Sequence, residues 1–479
     1  MLAYIPGKYQ NSIMTKVQNI LELQPELPLS EYNFYSFYQE SFKTSLLGKI
    51  HSTLPLHQMA IDFGIVDEST RTKRGRKSYF TPEGKIGLMF LRMYTALSAP
   101  KLLEQLNSNI HYQIFCGIVI DPLHPLTNYK IIDDISLELA GRLKIQTLQK
   151  TLADFWKPYM KNLDTLYTDA TCYESQMRFP TDAKLIWECV EKSHAIMCAA
   201  CHRSGENKYR TKYDDVAKAR LVYAKKRRHS AKSTHHIILR MLKLLKKILV
   251  KIRSLLRNDD KCLKDKEKRL ITIITQVSRQ QKNHFESSNQ KESIKNRIVS
   301  VSKPYVRPIV RGKEIKKVEF GAKCNNIQID GISFIEKLSF NAFSEGPRLA
   351  HCIYLSKKLF GVKVKKIAGD QGYASNANRK LCKEKNIETS FSRKGPAGKD
   401  EDEKKETRQE LARVRATSME GSFGTQKNHY NLNRVIGRLK VTEILMIFFG
   451  IHTSNVVMLA ERRMAAEAEA KKKKVEIAA

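Results

Sequence analysis

The chain has 479 residues, and 85 Lys+Arg against 49 Asp+Glu give a formal charge of +36. Hydrophobic residues make up 42%, which excludes a disordered basic tail and leaves a globular protein of two or three domains in a strong positive field. A polyanionic partner follows, and DNA or RNA fits better than a membrane because the charge is spread along the whole chain.

Nine cysteines scattered from Cys116 to Cys382 read as reduced thiols. The start, MLAYIPGKYQNSIM, lacks the pattern of a signal peptide. The most apolar segment, ILMIFFGIHTSNVVMLA, is broken by Gly450, His452, Ser454 and Asn455, so it reads as a buried helix, not a membrane span. The expectation is a cytoplasmic, nucleoid-associated protein.

Residues 1 to about 75 are mixed and end in RTKRGRK, whose Lys73, Arg74, Arg76 and Lys77 suit phosphate contacts. Thr81-Pro82-Glu83 opens a helix, with Thr as N-cap and Pro at the first helical position. A second helix runs through KLLEQLNSNIHYQIF and a third follows Asn128. Residues 1–155 are therefore expected to form an all-helical, DNA-binding N-terminal domain.

LDTLYT reads as a strand that leads to Asp169. Residues 181–295 then read as one helical block. Within it, residues 207–256 carry sixteen Lys/Arg against two acids, and Ile238, Met241, Leu242, Leu245, Ile248, Leu249, Ile252 and Leu255 recur at helical spacing. That amphipathic helix suits a coiled-coil seam, an interfacial or DNA-facing surface, or a plain core stripe under a solvated face. Cys198-Ala-Ala-Cys201-His202 has haem-attachment spacing, but that chemistry requires export. A zinc site with His194 is the weaker reading beside buried thiols.

Near residue 300 the period changes to that of strands. PYVRPIVRG, KKVEFGAKCNNIQI and ISFIEKLSF are β-rich, and Asp330-Gly331 is a hairpin signal. Arg307 and Arg311 flank this sequence and suit a DNA backbone. A helix over 347–360 stops at Gly361, a strand leads to Asp370, Ser375 caps a short helix, and IETSFS is another strand. Helices are expected over about 407–430 and 440–460, with 461–479 as a flexible tail. The order predicts an α/β fold, a mixed sheet covered by helices.

Two acids after apolar strands and a third, Glu420, on a later helix could hold divalent metal for phosphoryl transfer. Mg²⁺ takes hard oxygen ligands, and two ions about 3.5–4 Å apart activate the attacking oxygen and stabilise the leaving one. Lys427 lies seven residues after Glu420, two turns along nearly the same face, where its ammonium suits a phosphate. Any one of these acids alone is more often a turn or surface residue.

The segments YTDATCYESQMRFPTD, PYVRPIVRGKEIKKVEFGAK, AGDQGYASNANRK and SMEGSFGTQKNHYNLNR resemble the DDE transposases of bacterial insertion sequences, in the branch with an RNase H-like catalytic domain. The resemblance covers most of the chain, and the helices of roughly 45–155 resemble that branch's N-terminal domain. It implies an RNase H-like domain over 160–460, interrupted by the insertion 181–295. It implies Asp169, Asp370 and Glu420 as catalytic metal ligands for two Mg²⁺, with Mn²⁺ as an alternative. Lys427 matches the Lys of the Tyr–Arg–Glu–Lys signature. The signature's Arg falls on Ala416 and its Tyr on Arg413, so Arg415, one position off, is the DNA-contacting candidate. The implied partners are terminal inverted repeats and target DNA, bound by a homodimer or higher oligomer. An RNase H-fold nuclease without strand transfer, or a non-catalytic DNA-binding descendant, are the alternatives.

Overall fold

The computed structural model describes residues 17–19, 34–66, 78–286, 294–310, 318–395 and 401–478. Lys73, Arg74, Arg76, Lys77 and Arg311 lie outside the described residues. The chain divides into two compact units: one comprises 1–173, 324–338 and 343–479, the other 174–323 and 339–342.

Among the described residues the first unit has eight helices before residue 157: α1 (Phe34–Thr44), α2 (Leu46–Ser52), α3 (Leu56–Phe63), α4 (Pro82–Thr95), α5 (Ala99–Ser108), α6 (Ile110–Phe115), α7 (Lys130–Arg142) and α8 (Ile145–Trp156). Strand β1 (Val17–Asn19) pairs antiparallel with β2 (Ile118–Ile120). Thr81 caps α4 as expected, accepting from the Gly84 amide at 3.0 Å, with Pro82 at the first position. The single helix read through residues 101–115 is two. Asn109 leaves helical geometry and its side chain accepts from the His111 and Tyr112 amides, which starts α6 anew.

Strand β3 (Thr165–Ser175) follows, and the chain then enters the second unit. Here α9 (Asp182–Arg203), α10 (Tyr213–Lys225), α11 (Ala231–Asn258) and α12 (Asp265–Glu286) share one core. Trp187, Met241, Leu245, Ile248, Ile252 and Ile274 are among its buried residues. The apolar stripe of α11 is thus buried inside this unit, and its basic face lies exposed. Cys198 approaches His194 at 3.7 Å, and that ring stacks on Tyr213. Among the described residues no group of three or more His, Cys, Asp or Glu side chains could hold a metal. All nine thiols are unpaired. Strand β4 (Pro308–Val310) pairs antiparallel with the start of β5 (Val318–Ile329).

Back in the first unit, β5 turns at Asp330 (φ 50) and Gly331 (φ 81) into β6 (Ile332–Ser339). Two left-handed residues in succession make the tight hairpin that Asp-Gly signals. Helix α13 (Leu349–Phe360) ends at Gly361, φ 72. Strand β7 (Lys366–Ala368), α14 (Asn376–Glu384, capped by Ser375), β8 (Glu388–Thr389), α15 (Glu401–His429), β9 (Arg434–Val435) and α16 (Lys440–Ala478) complete the chain. The strand order is β5-β3-β7-β8, with β6 on β5 and β9 on β3. Strands β3, β7 and β8 run parallel. The fold is mixed α/β with a helical N-terminal region.

Helix α16 is apolar on all sides early in its course because it is buried on all sides. Its most apolar window is 89% buried, so it is a core helix. Phe449 packs on Phe63 and Phe90. The helix read as ending near 460 runs on to Ala478. Beyond 460, Arg462 bonds Asp330 at 3.1 Å and Glu467 bonds Lys49 at 2.7 Å.

Candidate active site

Asp169 lies inside β3, not at its end. The strand continues through Ser175 because the alternation does not stop at the acid. Successive side chains of a strand point to opposite faces, so Tyr167, Asp169, Thr171 and Tyr173 share one face. Leu166, Thr168, Ala170 and Cys172 are buried on the other.

Helix α15 supplies the partners of that first row. Arg415 NH1 donates to Asp169 Oδ2 at 2.9 Å, and both side chains are about four-fifths buried, at 18% and 20% exposure. Asp169 Oδ1 also accepts from the Ala170 amide at 2.7 Å. Lys427 Nζ donates to Thr171 Oγ1 at 2.8 Å and stands 6.0 Å from the Tyr173 ring centroid. The Tyr173 hydroxyl donates to Gln426 Oε1 at 2.5 Å and accepts from Asn326 Nδ2 at 3.3 Å. Burial drives its pKa well above the tyrosine range, so this hydroxyl stays protonated and remains a donor.

The contacts continue inward. Gln426 Nε2 donates to Ser422 Oγ at 2.9 Å, Ser422 meets Ser333 Oγ at 3.1 Å, and Asn455 of α16 brackets the Ser333 backbone with bonds of 3.0 and 2.7 Å. Ser418 bonds Gln328. A buried polar chain therefore fixes α15 against β3, β5 and β6.

Asp370 follows β7 by two residues and caps a single 3₁₀ turn, its Oδ1 accepting from the Gly372 amide at 2.9 Å. Tyr373 holds this turn from below. Its hydroxyl donates to Asn325 Oδ1 at 2.6 Å, and Asn378 Nδ2 donates to its carbonyl at 2.8 Å. Gly369 is required by proximity: a Cβ there would lie 2.9 Å from the Tyr373 ring. Burial is the main cause of Tyr373's raised pKa, and the Asp169 charge adds to it. Asn325 Nδ2 in turn donates to Glu336 at 2.9 Å, and Arg348 pairs with that buried carboxylate.

The register of the two parallel strands relates the acids. Tyr167 stands opposite Ala368. Asp169 lies two residues beyond Tyr167 within β3, and Asp370 two residues beyond Ala368, just past the end of β7. Glu420 is on α15, exposed, about 20° around the helix from Lys427. The three carboxylates do not close into one cluster. Arg307 is partly buried and turns its guanidinium onto the carbonyls of Pro304 and Val306.

Thr171, Tyr173, Gln426 and Tyr373 were not singled out from the sequence. The period-two row in YTDATCYES was the available signal for the first two. Gln426 and Tyr373 depend on contacts between distant segments.

Residues 367–459 match the family model described as Transposase DDE domain, and residues 36–133 match that described as Transposase domain (DUF772). The first match begins in β7 and takes in Asp370, Arg415, Glu420 and Lys427. The two matches indicate a transposase and are consistent with a DDE transposase of an insertion sequence. The DDE domain implies an enzyme of the polynucleotidyl transferase type. No curated protein and no solved structure gives a significant match to the chain.

Proposed function

We propose that this protein cleaves the ends of an insertion sequence and joins them to target DNA, using an RNase H-like site built on β3, β7 and α15. The observation that supports the proposal is the register: Tyr167 stands opposite Ala368 on adjacent parallel strands, and Asp169 and Asp370 each lie two residues further along the chain. The sheet order, with a hairpin beside β3 and two parallel strands beyond it, agrees with an RNase H-like arrangement.

The donor chemistry fits Mg²⁺ or Mn²⁺, because Asp169, Asp370 and Glu420 offer only hard oxygens. Metal held there would polarise the scissile phosphodiester and lower the pKa of an attacking water. Arg415 and Lys427 flank Asp169 with two fixed positive charges. A phosphate entering over β3 meets them already oriented, since Thr171 and Asp169 hold their head groups. Water attacks first and releases a 3′ hydroxyl, which then attacks target DNA at the same site. The partner is double-stranded DNA, and an oligomer holding both ends suits the task.

The test is nicking of terminal-repeat duplexes with Mg²⁺. Asp169→Ala, Asp370→Ala and Glu420→Ala each abolish nicking while end binding persists. Full cleavage by any of the three would sink the site. Cleavage without target-joined products would reduce the protein to a nuclease.

A further inference from the structure

Helix α11 runs 28 residues without one acidic side chain. At 1.5 Å per residue it is about 42 Å long. Its buried residues, from Ile237 to Leu255, all fall on one side. Lys243, Lys246, Lys247, Arg253 and Arg257 fall on the opposite side, within an arc of about 120° at 100° per residue. All five are exposed, and among the described residues none is in an ion pair. Lys251, at the margin, is the exception: it pairs with Glu206 at 2.6 Å.

Like charges at i, i+3 and i, i+4 repel by a few tenths of a kcal/mol per pair. The sequence keeps them on a face that the core does not need. Helix α10 and the turn after it extend the same character, since Lys225, Lys226, Arg227 and Arg228 are all exposed. A row of cations held on one helix face suits a polyanion of regular charge spacing. A duplex rises 3.4 Å per base pair, and from Lys243 to Arg257 the stripe is about 21 Å long, so it spans roughly 6 base pairs.

We infer that the exposed stripe of α11 is a sequence-independent binding surface for the DNA duplex backbone. This rests on the reading that the substrate is DNA, and it gives the helical insertion a function of its own. The side chains on the stripe are three ammonium and two guanidinium cations, Lys243, Lys246, Lys247, Arg253 and Arg257. The stripe offers positive donors suited to phosphate oxygens and no acceptor side chain.

The test uses the full chain and a random-sequence duplex of about 30 base pairs. Binding is measured from 50 to 300 mM salt for the wild type and for Lys243→Gln, Lys246→Gln, Lys247→Gln and Arg253→Gln combined. Each phosphate contact contributes about 0.9 to the slope of log affinity against log salt. Four lost contacts lower that slope by about 3.6, and a fall of 2 or more supports the stripe. A slope within 0.5 of wild type overturns it, as does a variant that loses binding to anionic phosphatidylserine vesicles but not to DNA. The substituted residues are exposed and Gln is a good helix former, so the helical circular dichroism is retained. Wild-type nicking of terminal repeats tests the catalytic reading separately. Its absence alongside a reduced slope would remove the transposase and keep the stripe.

Discussion

The Tyr173–Gln426 bond ties α15 to β3, and its energy can be isolated. Both groups are buried, with Gln426 fully so. Gln426→Leu removes the acceptor of the Tyr173 hydroxyl and the donor to Ser422. A buried donor left without an acceptor costs about 1–3 kcal/mol, and a lost neutral hydrogen bond about 1. The expected destabilisation is about 3 kcal/mol. Tyr173→Phe leaves Gln426 Oε1 and Asn326 Nδ2 short of a partner and costs about 2 kcal/mol on the same reasoning. The double variant has neither orphan across the bond, so it costs about 3, not 5, and the coupling is about 2 kcal/mol. The chain has two tryptophans. Trp156 is buried against Phe334 and His452 in the unit that contains the bond, and Trp187 lies in the other unit. In a Trp187→Phe background, urea unfolding followed by Trp156 fluorescence therefore reports on the right unit. Additivity of the two substitutions within 0.5 kcal/mol would refute the bond as a link between helix and strand.

Gly369→Ala drives a methyl into the Tyr373 ring at 2.9 Å and shifts the Asp370 turn. Nicking should fall at least tenfold while circular dichroism is unchanged, and retained activity would show that the turn yields freely. Arg348→Met leaves the carboxylate of Glu336, 3% exposed, without its cation. The expected cost is about 3 kcal/mol in the same Trp156 assay, and less than 1 would contradict it. Burial lowers the His452 pKa from 6.5 to about 3. The unfolded imidazole takes a proton near pH 6.5 and the folded one only near 3, so stability is full above 6.5 and is lost as pH falls between them, by about 1.4 kcal/mol per unit. His452→Phe should flatten that slope between pH 6.5 and 5, and an unchanged slope would place the titration elsewhere.

Local signals made much of the fold legible. Thr81-Pro82, Asp330-Gly331, Gly361 and Ser375 act through their own backbone or an adjacent amide, so sequence alone reports them. The bounds of α2 and α3 are not legible in the sequence because these helices are only 7 and 8 residues long, too short to show a period. They exist because Met59, Ala60 and Phe63 are buried by tertiary packing. The extent of β3 was misread for a related reason. An acid after an apolar run looks like a strand end. Asp169 is tolerated mid-strand because Arg415 meets it there.

Arg415, one position from where the signature would put its arginine, makes that ion pair. Position 416 would hold the arginine by spacing, yet Ala416 stands there. On a helix one residue is 100° of rotation and 1.5 Å of rise, a displacement that a short side chain could not absorb. Arginine has three methylenes before a planar fork of donors. From position 415 it still delivers NH1 to Asp169 Oδ2 at 2.9 Å. Lysine at 427 has less need of such slack, since Thr171 sits two residues along the same strand face to receive it. Arg415→Lys should therefore be as damaging as Arg415→Ala: lysine offers a single point donor from a position that requires reach and direction. Nicking measured with both variants checks this. Near-wild-type activity of Arg415→Lys would mean that charge alone suffices beside Asp169 and that the guanidinium geometry is incidental.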